Sequence, residues 1–240
     1  MIIRTLFTFL LLSSGLFAQE YDQKIADMER AAHSNLFSLS KVNYPSESKI
    51  DVTYYKLDLT LTHTPNYLIG AVNVIAKVDT LSITNLFLDL QDNMNVDSVL
   101  LDGTATTFNH TTDELTIDLD RTYNQNETFS VVIYYQGIPG TSGLGSFKFG
   151  THGGQPIIST LSEPYGASDW WPCKDTPADK ADSSDVWITV VESLIPIANG
   201  TLENITVIGD GTHTYYWKNH HPISQYLISL AITNYHQYNT

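Results

Sequence analysis

From Ile50 onward the apolar positions repeat every second residue. Tyr55, Leu57, Leu59 and Leu61 alternate with Lys56, Asp58, Thr60 and Thr62. That period places one set of side chains on each face and predicts a half-buried strand. After a turn at Pro65 and Asn66, the set Val72, Val74, Ala76 and Val78 predicts a second strand, and Leu86, Leu88 and Leu90 a third. Residues 96–103 close on Asp102-Gly103, a hairpin turn signal. Leu115, Ile117 and Leu119 alternate with Thr116, Asp118 and Asp120, which puts both carboxylates on the solvent face. Phe129 to Tyr135 is a β-prone apolar run, and Val186, Ile188 and Val190 alternate again. Thr206 to Ile208, then Gly209-Asp210-Gly211, then His213 to Trp217 predict a hairpin, with Tyr226 to Ile232 as the last strand. The sum is about nine or ten strands with almost no helix after residue 41, an all-β fold built as a sandwich or large curved sheet.

The first part of the chain follows other rules. Residues 1–18 carry Arg4, an apolar run from Leu6 to Leu12, and Ala18 before Gln19, the pattern of a secretory signal peptide. The run is too short, and too broken by Ser13, Ser14 and Gly15, to predict a membrane span. Residues 19–48 are expected to form a short helical leader, with Ile25, Met28, Ala32 and Leu36 near helical spacing and Asp22 at its start. Residues 49–240 are the β domain. The protein is therefore expected to be exported (periplasmic, cell-surface or secreted), with no membrane attachment after cleavage.

Composition narrows the partners. Hydrophobic residues make up 42% of the 240 positions, enough for a packed core, and the net charge is −14. Such a surface repels nucleic-acid phosphates and acidic membranes. The single cysteine, Cys173, excludes an internal disulfide framework. It reads as a small buried hydrophobe rather than as a nucleophile or metal ligand.

Self-sufficient catalytic machinery is not recognisable. None of the 8 histidines precedes a Glu or has a partner at i+4, so the helical zinc pattern is missing. They read as solvated turn residues, His220-His221 before Pro222 included. Ser146, in GLGSFKFG, lacks the spacing of a nucleophile elbow. Nor does that stretch complete a dinucleotide or phosphate loop, and it reads as a flexible Gly-rich loop. Asp118 and Asp120 have no geometric claim to be a glycosidase pair.

One stretch is anomalous. Residues 160–183, TLSEPYGASDWWPCKDTPADKADS, combine two Trp, the only Cys, three Pro and a comb of Asp and Lys. Thr160, Glu163, Pro164, Ala167, Trp171, Pro172, Cys173, Asp175, Pro177, Lys180 and Ala181 stand at the positions of a signature of the aminopeptidase N family of zinc metallopeptidases. Upstream, VTYYKLDLTLT resembles that family's first long strand. Downstream, IANGTL resembles its Asn-Gly turn, and YYWKNHHPISQYLISLAITNY its closing strands. The resemblance covers about residues 49–240.

The resemblance implies an N-terminal β domain, a saddle-like assembly of antiparallel and mixed sheets. In the family it precedes a thermolysin-like catalytic domain carrying the zinc helix and a Gly-x-Met-Glu-Asn strand. None of the 3 Met sits in such a motif. The chain is thus expected to stop short of the catalytic domain, to hold no zinc and to be inactive alone, with zinc belonging to the full-length enzyme. One site residue carries over. Glu163 stands where the family's Glu grips the free α-amine of a peptide, so peptides are the implied partners. A carboxylate from a neighbouring domain can pair with that ammonium and set the register of the first peptide bond. Trp170, Trp171 and Cys173 then read as packing residues. Asp175, Asp179, Lys180 and Asp182 read as polar ties that hold the loop. Leu161 and Ser168 depart from the family's frequent Gln and Arg, which leaves the side-chain preference open. The competing expectation is a stand-alone secreted β module that binds or adheres without enzymatic activity.

Overall fold

The computed structural model describes residues 49–236. The expected signal peptide and helical leader lie outside the described residues. Within them the chain forms seventeen strands: β1 (Ile50–His63), β2 (Asn66–Val78), β3 (Ser82–Asp89), β4 (Met94–Leu101), β5 (Thr104–Thr106), β6 (Phe108–Thr111), β7 (Glu114–Asn124), β8 (Thr128–Gly137), β9 (Phe147–His152), β10 (Gln155–Thr160), β11 (Lys180–Ala181), β12 (Ser183–Val191), β13 (Ile195–Ala198), β14 (Thr201–Val207), β15 (Thr212–Asn219), β16 (Ile223–Ser224) and β17 (Leu230–Thr233). The only helical element among the described residues is the 3-10 turn Gln225–Leu227.

The alternation read from the sequence is the alternation of burial. In β1, Tyr55, Leu57, Leu59 and Leu61 are buried, and in β2 Val72, Val74, Ala76 and Val78 are. In β12 the same holds for Val186, Ile188 and Val190. These strands belong to one eight-stranded sheet in the order β14-β15-β12-β1-β2-β8-β4-β5. Within it β1 and β12 run parallel while the other pairs are antiparallel. The class is therefore all-β with mixed and antiparallel sheets. The Asp102-Gly103 turn has positive φ at both residues, 46° and 84°, as a two-residue hairpin turn of this type requires.

Three smaller sheets complete the fold: β13-β17-β10-β9, β3-β7-β6 and β11-β16. Their inward apolar residues join one continuous core with the large sheet, from Leu86 and Ile117 through Ile158 and Ile232.

Several strands were not legible. The stretch after Ser146 is not a flexible loop but the start of a hairpin, β9–β10, paired from Phe147↔Thr160 to His152↔Gln155. Its alternation is blurred by Gly150, and its turn rests on Gly153 and Gly154 at φ +56° and +80°, a backbone region open to glycine without strain. The expected last strand is interrupted. Ile228 N–H bonds back to Gln225 O at 3.2 Å, and β17 begins only at Leu230. Buried Gln225 donates to Asp175 at 3.0 Å, which holds the chain in a turn where periodicity alone predicts extension.

Candidate functional site

The anomalous segment begins where β10 ends at Thr160. Residues 166–176 are buried without a break, yet they form no strand beyond one isolated bridge. Irregular backbone normally stays at the surface because its N–H and C=O groups need water. Here the partners are supplied from elsewhere in the chain. Cys173 exchanges both backbone bonds with Asp89, at 2.7 and 3.1 Å. Lys174 N–H donates to the Tyr55 hydroxyl at 3.1 Å, and Asp175 N–H to Asp89 Oδ2 at 2.7 Å. Trp170 O accepts the Tyr135 hydroxyl at 3.1 Å. Ser168 O accepts Gln91 N–H at 3.0 Å and Asp169 O accepts Gly140 N–H at 3.1 Å.

Side chains finish the set. Asp175 accepts from the backbone and hydroxyl of Ser168, at 3.2 and 2.8 Å, and from Gln225. Lys174 sends its Nζ inward to Ile50 O at 2.5 Å and to Asp179 at 2.7 Å. Asp179 in turn accepts Val52 N–H at 3.1 Å. Lys174, Asp175 and Asp179 thus satisfy much of the buried loop's polar set, while the buried Trp171 indole N–H has no hydrogen-bond partner among the described residues. Lys180 is exposed, and Asp182 contributes its backbone N–H to Thr53 O. Lys174, which the sequence did not single out, is the buried cation.

The two tryptophans fill the space beneath. Trp171 meets Tyr55 edge to face at 4.8 Å between ring centres and Trp170 at 5.9 Å, while Trp170 lies 5.7 Å from Phe147. Both are fully buried, and truncating either to Ala would cost about 3–5 kcal/mol. Cys173 is a buried free thiol whose pKa burial pushes well up. That is the environment of a packing residue, as the sequence implied, and not of a reactive thiolate. Burial likewise raises the carboxyls of Asp175 and Asp169, against the opposing pull of their hydrogen bonds.

Glu163 differs from its neighbours. It is exposed, and its carboxylate makes no hydrogen bond or ion pair with any other described residue. On either side the chain is fixed. Buried Ser162 accepts the Trp170 indole N–H at 3.0 Å, and Gly166 N–H donates to Ser162 O at 2.8 Å. The Glu163–Pro164 peptide is cis. The Glu163 carboxylate thus stands between two anchored points of the chain, Ser162 and Gly166.

The remaining candidates lie apart from it. His220 and His221 are exposed. The turn reading fails for three other histidines, however. His63 and His110 bond through Nε2 to Gly150 O and Leu90 O, at 2.7 and 2.8 Å, and His213 lies within β15. Asp118 is exposed and tied to Asn85 and Thr107, and Asp120 is exposed on the same strand. Among the described residues no group of three or more His, Cys, Asp or Glu is placed to hold a metal ion.

A sequence model of the Peptidase M1 N-terminal domain matches residues 51–227. The chain belongs to the M1 peptidase family. Solved M1 structures share the fold. A two-domain M1 zinc metallopeptidase variant bound to L-arginine is 26% identical with a TM-score of 0.69. The M1 zinc metallopeptidase of Deinococcus radiodurans is 25% identical with a TM-score of 0.67. Each alignment covers 77% of this chain and 42% of the other, so the chain spans less than half the length of these M1 proteins. No curated protein matches it.

Proposed function

We propose that this chain is the substrate-anchoring N-terminal domain of an exported zinc aminopeptidase. In this reading Glu163 pairs with the free α-ammonium of a peptide whose first residue is to be removed, and the β sheets form the saddle-like support. The observation that carries it is the contrast at Glu163: an exposed carboxylate without a partner among the described residues, on a short loop anchored before it by buried Ser162 and after it by buried Gly166. A preformed anion recognises a cation without the cost of ordering it first. The donor set described here does not fit zinc, so the metal and the hydrolytic step belong in this reading to a peptidase domain of the M1 kind. The chain alone is accordingly expected to be inactive, and chelator-sensitive cleavage by a pure sample would contradict that. Export rests on the pattern of residues 1–18.

The test is Glu163→Gln in the protein that joins this domain to a peptidase domain. A lost charge-assisted hydrogen bond is worth about 1.5–3 kcal/mol. Catalytic efficiency on a free-amine aminoacyl reporter should then fall about 10- to 150-fold. Unchanged efficiency would remove Glu163 from the site.

A further inference from the structure

Ser146 and Asp169 form a buried polar contact beside the Glu163 loop. Ser146 and Asp169 are both 1% exposed. The Ser146 hydroxyl donates to one carboxylate oxygen of Asp169, and the Gln91 amide donates to the other. The same Ser146 hydroxyl accepts Ser142 N–H at 3.0 Å, closing the turn that contains Gly143 and Gly145. The Ser146 carbonyl accepts Leu161 N–H at 3.0 Å and lies 3.5 Å from the Ser162 hydroxyl.

Packing repeats the connection. A Cβ added to Gly166 would come within 2.7 Å of Ser146 Cβ, so the two backbones meet there with no room for a side chain. At the other end of the turn, a Cβ on Gly143 would lie 3.6 Å from Glu163 O. Ser146 therefore touches the Glu163 loop before the glutamate, at Leu161 and Ser162, and after it, at Gly166. Asp169 holds Ser146 in turn. Being buried and doubly bonded, its carboxylate cannot rotate without leaving Ser146 or Gln91 unsatisfied, at a cost that is large in an apolar setting.

We infer that Ser146 and Asp169 are positioning residues for amine recognition: they fix the loop that presents Glu163 and thereby its reach to the peptide's α-ammonium. This rests on the reading of Glu163 given above. Neither residue touches substrate; both act through the Glu163 backbone. Such an effect is geometric, and misplacement of a binding group by a fraction of an ångström weakens recognition without unfolding the domain.

The experiment is a double-mutant cycle in the protein carrying both domains. Ser146→Ala keeps the Cβ packed against Gly166 and removes only the hydroxyl. Alone, it should raise KM for a free-amine reporter about five-fold, the effect of one hydrogen bond, with kcat little changed. In a Glu163→Gln background it should have no further effect, because the group it positions no longer carries charge. Asp169→Asn provides the second arm and should behave in the same way. An equal loss in both backgrounds, or a fall in kcat with constant KM, would mean a purely structural role and would overturn the inference. If Glu163→Gln itself leaves KM and kcat unchanged, the amine-anchoring reading fails first and this inference with it. An effect of Glu163→Gln without one from Ser146→Ala and Asp169→Asn sinks the inference alone.

Discussion

Replacing Lys174 by Met tests how the buried loop is held. The Lys174 side chain is 6% exposed and lies 2.7 Å from Asp179, itself 12% exposed. At that distance, an effective dielectric near 20 gives roughly 6 kcal/mol of attraction. Desolvating the two ions costs several kcal/mol each, so the net worth of the intact pair is about zero. Breaking it is different. Lys174→Met keeps most of the methylene packing but leaves the Asp179 carboxylate with only Val52 N–H, and Ile50 O without its cation. An uncompensated buried charge of this kind costs about 3–5 kcal/mol. In a domain of this length that lowers Tm by roughly 6–20 °C. The pairwise logic adds a sharper expectation: Lys174→Met/Asp179→Leu removes both charges and should recover about half or more of that loss. Thermal melts followed by tryptophan fluorescence and urea titrations read both numbers. A single variant within about 1 kcal/mol of wild type would refute the reasoning, since it would mean that water reaches the pair. So would a double variant as unstable as the sum of the singles.

Two further predictions concern titratable groups in the same loop. Cys173, buried and with its pKa pushed up, should not react with Ellman's reagent at pH 8 in the folded protein and should release one thiol in guanidinium; rapid labelling of the native state would place it at an accessible site. Asp175, raised by burial, keeps its proton when folded at pH values where the unfolded chain has already lost it. Its contribution to stability therefore falls as pH rises from the ordinary carboxylate value through the raised one. Wild type should lose Tm across that window relative to Asp175→Asn, whose offset is constant; parallel Tm profiles would exclude the shift.

The strands of the large sheet were legible because they lie half-buried. Leu57, Leu59, Val72, Val74, Val186 and Ile188 announce their faces by a period of two, and each is buried. The Asp102-Gly103 turn was equally readable, since its positive φ restricts which residues can stand there. The β9–β10 hairpin and the turn at Gln225 were not. Their conformations follow from Gly153-Gly154 and from a bond to Asp175, and neither leaves a periodic trace.

The site divides along the same line. The packing role of Trp170, Trp171 and Cys173 was readable from a run of matched residues, and the same run drew attention to Glu163. Ser146, Asp169 and Lys174 were not, although two of them stand inside that run. Local sequence marks where chemistry-bearing residues gather, because composition and spacing are properties of neighbours along the chain. It does not say which of them meet water. Asp169, Asp175 and Lys174 are buried while Glu163 is exposed, and that sorting depends on Asp89, Gln91, Tyr55 and Gln225. Tyr55 meets Lys174 across 119 positions and Gln225 meets Asp175 across 50. Burial is a property of contacts between distant segments, so only the folded chain separates the carboxylates buried in the loop, Asp169 and Asp175, from those left exposed, Glu163 and Asp182.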